Sequence, residues 1–156
     1  MMGTGKTTTG ALVAEGLSVP FHDLDTEIML DTGRTIPELF GSGEEAFRDA
    51  ESTVLTRLAD EPASVISTGG GAILRATNVE TMRRTGAIVL LTAKVETLAD
   101  RIGEDEERPL SDGPTSLRDL ATARSAAYRN AADFIVSTDD KSPDAVAREV
   151  MTCSAM

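Results

Sequence analysis

The sequence predicts an α/β fold in which a mostly parallel sheet lies between layers of helices. Short apolar runs of strand type alternate with helical patterns along all 156 residues, and this alternation is typical of parallel sheets with helical crossovers. The chain also opens on a glycine-rich stretch followed by Lys and Thr, which indicates a phosphate-binding loop. Together these observations favour a P-loop three-layer sandwich, formed by residues 1–156 as a single domain.

Four strands are expected, because short runs of aliphatic and β-branched residues stand between turn-forming or acidic residues. They lie at 19–22, 64–68, 88–91 and 134–136. The first strand runs into an acidic pair and the second into three consecutive glycines. In α/β folds ligands bind at the carboxyl ends of strands, so both endings are candidate parts of a site.

Helices are expected in the intervals, where apolar and polar residues recur at helical spacing. The expected ranges are 8–14, 26–32, 36–40, 44–59, 78–84, 95–102, 117–132 and 143–151. Residues 103–114 are charged and contain Gly and Pro, so we expect a mobile stretch there.

Composition limits the classes of protein to which the chain can belong. The formal net charge is −11, which disfavours a nucleic-acid binder because such a protein needs a basic face. No apolar run is long enough to span a membrane, no signal peptide is visible, and the single cysteine, Cys153, excludes an internal disulfide. We therefore expect a cytoplasmic protein that binds a small anionic ligand through a few local cations.

The phosphate-binding loop is the segment around which we expect the site to form. It consists of Gly3, Thr4, Gly5, Lys6, Thr7 and Thr8. Its backbone N–H groups would wrap the phosphates of a nucleotide, and the N-terminus of the following helix would add its dipole. Lys6 would reach the outer phosphates as a point charge, and the Thr7 hydroxyl would ligate Mg²⁺.

A further strand is expected directly before this loop, because a phosphate-binding loop connects a strand to a helix. The full motif G-x-x-x-x-G-K-[ST] also requires a glycine at a position that would precede Met1. We therefore expect the first central strand to be missing and the chain to begin too late. Each buried backbone group left without a partner costs about 1–3 kcal/mol, against a total stability of about 5–15 kcal/mol, so we expect the chain as written to be unstable.

The acidic pair, Asp23 and Asp25, has two interpretations. Residues two apart in an extended chain point the same way, so both carboxylates could face a ligand, one near Mg²⁺ and one accepting a hydroxyl proton. Alternatively, an Asp at a strand-to-helix junction is a common N-cap. The residues alone leave both interpretations open.

Two other segments have a functional and a plain structural interpretation. Gly69-Gly70-Gly71 would let the backbone approach a ligand that a Cβ would block, or would form a flexible turn. Arg48 lies in an acidic helical segment, where it could simply pair with Glu44, Glu45 or Glu51 in a solvated network of little energetic value.

Arg108, Arg124 and His22 each have a plain structural interpretation. Arg108 could close over a nucleotide and stabilise charge on a transferring phosphoryl group, or could belong to a solvated loop. Arg124 and Tyr128 stand four apart on one helix face, which by itself indicates only a surface pair. His22 is interpreted as structural.

Taken in order, these segments resemble the shikimate kinases, a family of small P-loop kinases. The resemblance rests on residues 3–8, 21–28, 43–51, 67–72, 108–110 and 124–128. It implies a five-stranded parallel sheet and ATP-dependent phosphorylation of the 3-hydroxyl of shikimate, in the route to aromatic amino acids. It also implies a substrate-binding region at about 31–60 and a lid at about 103–114.

The resemblance implies a set of residues that hold shikimate. Asp25, Arg48, Gly70 and Arg124 would bind it, with the two Arg clamping its carboxylate through their planar forks. Asp25 would hold its hydroxyls and accept the hydroxyl proton.

For the nucleotide, the resemblance implies that Arg108 meets the phosphates and that Arg101 packs near the adenine. Thr7 would ligate Mg²⁺ directly and Asp23 would hold it through water. We further expect a monomer.

Two alternatives stay open at this point. The chain could be another small-molecule P-loop kinase, such as a gluconate kinase, which would ignore shikimate. It could also bind a nucleotide without turnover, and the incomplete phosphate loop is the feature that favours this interpretation.

Overall fold

The computed structural model describes residues 3–98 and 113–154. The helices are α1 (Lys6–Leu17), α2 (Leu24–Thr32), α3 (Ile36–Gly41), α4 (Glu44–Ala59), α5 (Ala76–Thr85), α6 (Gly113–Ala131) and α7 (Pro143–Ser154). The strands are β1 (Phe21–Asp23), β2 (Val65–Ser67), β3 (Val89–Thr92) and β4 (Phe134–Ser137), and a 3₁₀ turn covers Ala72–Leu74. Residues 95–98 are also helical.

The four predicted strands are confirmed, and their pairing is parallel. β1 pairs with β2, with Phe21 opposite Val65, and β3 pairs with β4, with Val89 opposite Phe134. The described strands form two separate two-stranded sheets in place of one continuous sheet. The separation falls between β2 and β3, so each of these strands has one edge with no strand partner among the described residues.

Two hydrophobic clusters pack against the strands. One joins α2, α3 and α4, and its fully buried members include Leu24, Ile28 and Leu55. The other joins α1, α7 and the second strand pair around Val13, Val136 and Val146. Since the side chains of a strand point alternately to opposite faces, Val65 of β2 packs against the second cluster and Ile66 against the first.

Three predicted boundaries are corrected by the structure. α2 begins at Leu24 instead of residue 26, because Asp23 is its N-cap. α1 begins at Lys6 instead of residue 8. α6 begins at Gly113 instead of residue 117, so residues 113–114 of the stretch expected to be mobile are helical. The rest of that stretch, 103–112, lies outside the described residues.

None of the described helices combines the length and the apolarity that crossing a bilayer requires.

Candidate active site

A cavity of about 410 Å³ opens where β1 and β2 end, and it is lined by Asp23 and Ser67, the last residues of those strands. This is the position at which parallel α/β sheets bind ligands. The structure brings together here most of the residues predicted for the site. Its lining includes Gly3, Gly5, Lys6, Thr7, Thr8, Asp23, Asp25, Arg48 and Gly70.

The phosphate loop has the backbone conformation that its glycines permit. Gly3 and Gly5 have φ angles of 73° and 77°, in the left-handed region that residues with a Cβ rarely adopt. Gly5 is the N-cap residue of α1, and the helix therefore starts at Lys6 with its N-terminus beside the cavity. Such successive N–H groups at a helix N-terminus form an anion-binding concavity. Thr4 is 1% exposed and lies outside the lining.

Asp23 is the N-cap of α2, and its side chain also contacts the phosphate loop. Its Oδ1 accepts a hydrogen bond from the backbone N–H of Thr26 at 3.3 Å, which caps α2. Its Oδ2 accepts from the Thr7 hydroxyl at 3.1 Å, so the two predicted Mg²⁺ residues lie in contact.

A hydroxyl and a carboxylate oxygen are the hard ligands that Mg²⁺ prefers, and Mg²⁺ usually takes one or two protein oxygens together with substrate phosphates and water. The residues present therefore fit the ion. No group of three or more His, Cys, Asp or Glu side chains able to hold a metal occurs among the described residues.

Asp25 reaches the cavity in a different way from the one predicted. It lies in the first turn of α2, whereas Asp23 ends β1, so the two carboxylates do not alternate along one extended strand. Its Oδ1 lies 3.5 Å from the point at which a Cβ would stand on Gly69. The start of α2 thus directs Asp25 at the glycine loop.

Arg48 is held inside the site and does not belong to a solvated surface network. Its side chain is only 11% exposed, and its Nη1 donates to Oε2 of Glu51 at 2.8 Å. Glu44 Oε1 accepts more weakly, at 3.4 Å. The guanidinium carbon also lies 5.0 Å from the centre of the Phe47 ring, within the range of cation–π attraction.

Glu51 is a site residue that the sequence analysis treated only as a surface partner. Its side chain is 1% exposed, it lines the cavity, and its Oε1 is buried without a hydrogen-bond partner. Burial raises the pKa of this carboxyl, and the charge of Asp25 acts in the same direction, while Arg48 opposes both. A signal for it exists in the sequence, because Glu51 interrupts the apolar stripe of α4. The buried members of that stripe are Phe47, Val54, Leu55 and Leu58.

The glycine loop packs directly against Arg48. A Cβ on Gly71 would overlap the Arg48 guanidinium, whereas one on Gly69 would make ordinary contacts with Asp25 and Glu51. The carbonyl oxygen of Gly70 accepts a hydrogen bond from the Tyr128 hydroxyl at 2.6 Å, so α6 anchors the loop. The three glycines therefore line the cavity, and their loop also packs against Arg48.

The remaining predicted residues are not brought into the described cavity. Arg124 lies on α6, one turn before Tyr128, partly buried and outside the cavity lining. Arg101 and Arg108 lie outside the described residues. His22 pairs with Glu27 at 2.8 Å outside the cavity lining, in agreement with a structural role.

Apolar side chains complete the part of the cavity contributed by α3 and α4. Ile36 and Phe40 line it together with Phe47, and the two Phe rings stack with centroids 4.4 Å apart. This arrangement suits a small ligand that carries an anionic group and a hydrocarbon ring.

Phosphoryl transfer requires little covalent chemistry from a protein and depends on positioning and charge. The cavity supplies both, and with the fold it defines a P-loop phosphotransferase. The family model described as "Shikimate kinase" matches residues 2–155. The chain belongs to the shikimate kinase family.

Individual relatives agree with this assignment. The chain is 45% identical to a shikimate kinase of Symbiobacterium thermophilum, over 97% of this chain and 90% of the relative. It superimposes with a TM-score of 0.89 on a shikimate kinase from Acinetobacter baumannii solved in complex with shikimate, at 39% identity over 97% of this chain and 87% of that one. A gluconokinase from Sinorhizobium meliloti, at 16% identity and a TM-score of 0.59, shares the fold alone.

Proposed function

We propose that this chain transfers the γ-phosphoryl group of ATP to the 3-hydroxyl of shikimate, in the route to aromatic amino acids. The observation that carries the proposal is that Lys6, Asp25 and Arg48 line one cavity from three different elements, α1, α2 and α4. A phosphate site, a proton acceptor and a carboxylate-binding fork are the groups that this reaction needs.

Arg48 would bind the shikimate carboxylate, since a guanidinium meets a carboxylate with two parallel hydrogen bonds. Glu51 and the Phe47 ring hold the guanidinium in place, so little conformational freedom would be lost when the substrate binds. Gly70 would contact the substrate, and Arg124 would add a second cation from α6.

Asp25 would accept the proton of the attacking hydroxyl. The hydroxyl oxygen then forms a bond to the γ-phosphorus, while the bond from that phosphorus to the bridging oxygen of ADP breaks. Lys6 and the N-terminus of α1 would stabilise the negative charge on the phosphates.

Mg²⁺, held by Thr7 directly and by Asp23 through water, would neutralise charge on the β- and γ-phosphates when it is bound. Arg108 would add charge at the transferring group, and Arg101 would pack near the adenine. We also propose that the protein acts as a monomer in the cytoplasm.

The test is an ADP-release assay with ATP, Mg²⁺ and shikimate, applied to the 156-residue chain. We expect turnover that depends on shikimate, and a decrease in kcat of about 10²–10⁴-fold in Asp25→Asn, the range for loss of a general base. Asp144→Asn, an exposed substitution in the first turn of α7, is the matched control and should retain activity.

Two results would contradict the proposal. Phosphorylation of gluconate in preference to shikimate would indicate the other small-molecule kinase. ATP binding by folded protein without any turnover would indicate a nucleotide-binding protein.

A further inference from the structure

The Tyr128 hydroxyl is a buried donor to which the proposed reaction gives no task. Tyr128 lies on α6, is 8% exposed and is the only tyrosine of the chain. Its hydroxyl donates to the carbonyl of Gly70 at 2.6 Å, across 58 residues of sequence. Gly70 lines the candidate active-site cavity and Tyr128 does not, so the bond holds the glycine loop from the side away from the cavity.

Each carbonyl group of the glycine loop, Gly69–Gly71, has a donor within the protein. The carbonyls of the first and third glycines accept from the N–H groups of Ala72 and Leu74, at 3.3 and 3.0 Å, and the second accepts from Tyr128. The N–H groups of the same glycines have no acceptor among the residues that the structure describes. Backbone N–H groups require acceptors, so a ligand that supplies oxygen atoms to this wall of the cavity satisfies them.

The bond from Tyr128 also fixes the direction of one of these donors. The peptide group between Gly70 and Gly71 is planar and trans, so its carbonyl and its N–H point in opposite directions. Because the carbonyl points to Tyr128, the N–H of Gly71 points away from α6. A Cβ on Gly71 would overlap the Arg48 guanidinium, so this glycine lies directly against that cation in the cavity wall. Two neighbouring donors of this kind suit a single carboxylate.

Without the hydroxyl, little would hold this peptide group in its observed orientation. Glycine has wide access to φ and ψ, so a peptide plane between two glycines rotates more readily than one between residues with a Cβ. A reversed plane would turn the Gly70 carbonyl toward the cavity. The partial negative charge of that oxygen would then face a carboxylate bound to Arg48.

We propose that Tyr128 is a positioning residue for the carboxylate of the substrate. Its hydroxyl holds the Gly70 carbonyl away from the cavity, so that the N–H of Gly71 and the guanidinium of Arg48 bind the carboxylate together. Tyr128 itself acts only through the loop. This role rests on the proposed function, because the carboxylate concerned is that of shikimate.

The kinetic test compares Tyr128→Phe with the parent chain in the shikimate-dependent ADP-release assay, since this substitution keeps the ring and removes the hydroxyl. We expect the KM for shikimate to rise about tenfold, the effect of weakening one hydrogen bond to a charged group. Both kcat and the KM for ATP should stay within about twofold of the parent values, because the carboxylate does not react. Thr152→Val is the control, since it removes a hydroxyl that donates to the carbonyl of Arg148 on α7, outside the cavity lining.

A second measurement is independent of turnover. NMR relaxation of isotope-labelled glycine amides, recorded without substrate, reports the order of the loop in both proteins. For Gly70 and Gly71 we expect order parameters near about 0.85 in the parent and below about 0.6 in Tyr128→Phe. Gly16, within α1, should stay ordered in both. Addition of shikimate to the labelled parent should shift the Gly71 amide proton in a saturable manner, and this result does not require the variant to fold.

Four results would overturn the proposal. An unchanged KM for shikimate in Tyr128→Phe would show that the hydroxyl does not affect substrate binding. Equal increases in the KM of both substrates, together with a lower Tm, would leave Tyr128 a structural role alone. Glycine amides that are equally ordered in both proteins would show that the loop does not need the bond. A Gly71 amide that ignores bound shikimate would exclude the contact. Loop order that depends on Tyr128 in a parent without shikimate turnover would contradict the proposed function alone, so the two failures are distinguishable.

Discussion

The Glu51 carboxylate lies where α4, the glycine loop and the start of α2 meet. Its Oε2 accepts from Arg48, while its buried Oε1 has no hydrogen-bond partner. A buried polar atom without a partner costs free energy, of the order of 1–3 kcal/mol. We infer that Glu51 is present despite this cost because it orients Arg48 for a carboxylate ligand.

Glu51→Gln should therefore separate stability from substrate binding. Because the folded-state pKa of Glu51 is raised above its unfolded value, its favourable contribution is fully present below about 4.5 and is lost as pH rises through the folded-state pKa. Relative to the Gln variant, the parent chain should be more stable near pH 4 than at pH 7, as measured by denaturant unfolding at both values. The KM for shikimate should rise about tenfold, the effect of weakening one hydrogen bond to a charged group. Equal pH dependence in both proteins would contradict this account.

Gly71→Ala tests the contact between the glycine loop and Arg48. The added Cβ would overlap the guanidinium, so Arg48 has to move away from its place beside Glu51. We expect the KM for shikimate to rise about tenfold or more with a small change in Tm, since φ at this position is −94° and suits alanine. Gly86→Ala is the matched control, because a Cβ there meets nothing within 4 Å. An unchanged KM in Gly71→Ala would show that Arg48 is not needed in its observed position.

Among the single elements, α2 connects the fold to the site, because its N-cap and its first turn both line the cavity. Asp23 caps this helix through Oδ1 and contacts Thr7 through Oδ2, and Asp25 in the first turn lines the cavity. A helix that starts at Leu24 therefore places Asp25, the proposed proton acceptor, in the same cavity as the phosphate loop.

Asp23→Asn should distinguish the two roles of this side chain. Asn caps a helix about as well as Asp, so Tm should change by no more than about 2 °C. The Mg²⁺ concentration for half-maximal activity should rise about tenfold, because the carboxylate charge is lost. Asp23→Ala should lower Tm through loss of the cap and should also raise the Mg²⁺ concentration for half-maximal activity. A drop in Tm in the Asn variant without a change in Mg²⁺ dependence would restrict Asp23 to capping.

At the scale of the whole molecule, the net charge is the feature from which an effect on stability follows. The chain carries a formal net charge of −11, and like charges repel in the compact state. The described strands form two parallel pairs, β1 with β2 and β3 with β4. Whether the chain is unstable as expected stays a prediction.

Salt should stabilise this protein. Raising KCl from 0.02 to 0.5 M shortens the Debye length from about 20 Å to about 4 Å and screens the repulsion, so we expect Tm to rise by a few degrees. NaCl at the same ionic strength should give the same shift, since screening does not depend on the identity of the cation. A fall in Tm with salt would show that attractive ion pairs, such as those around Arg57, outweigh the net repulsion.

The sequence by itself determined the fold class, the four strands and the family. These predictions depend on local features, namely the phosphate-loop glycines, the strand-end carboxylates and the alternation of element types. Each of these features involves residues that are close together in the sequence, so the sequence alone reveals it. The meeting of the carboxyl ends of parallel strands at one edge predicted that Asp23, Asp25 and the glycine loop lie close together. Arg48 was assigned to the site only through the resemblance to the family.

Only the tertiary structure decided which side chains are buried and which contacts cross between elements. Glu51 was assigned to a surface network because its neighbours along α4 are acidic, and its burial depends on how α4 packs against the glycine loop. The contact of Gly71 with Arg48 and the hydrogen bond from Tyr128 to the carbonyl of Gly70 join residues that are far apart in the chain. Such contacts depend on packing in three dimensions, which the spacing of residues along the sequence does not specify.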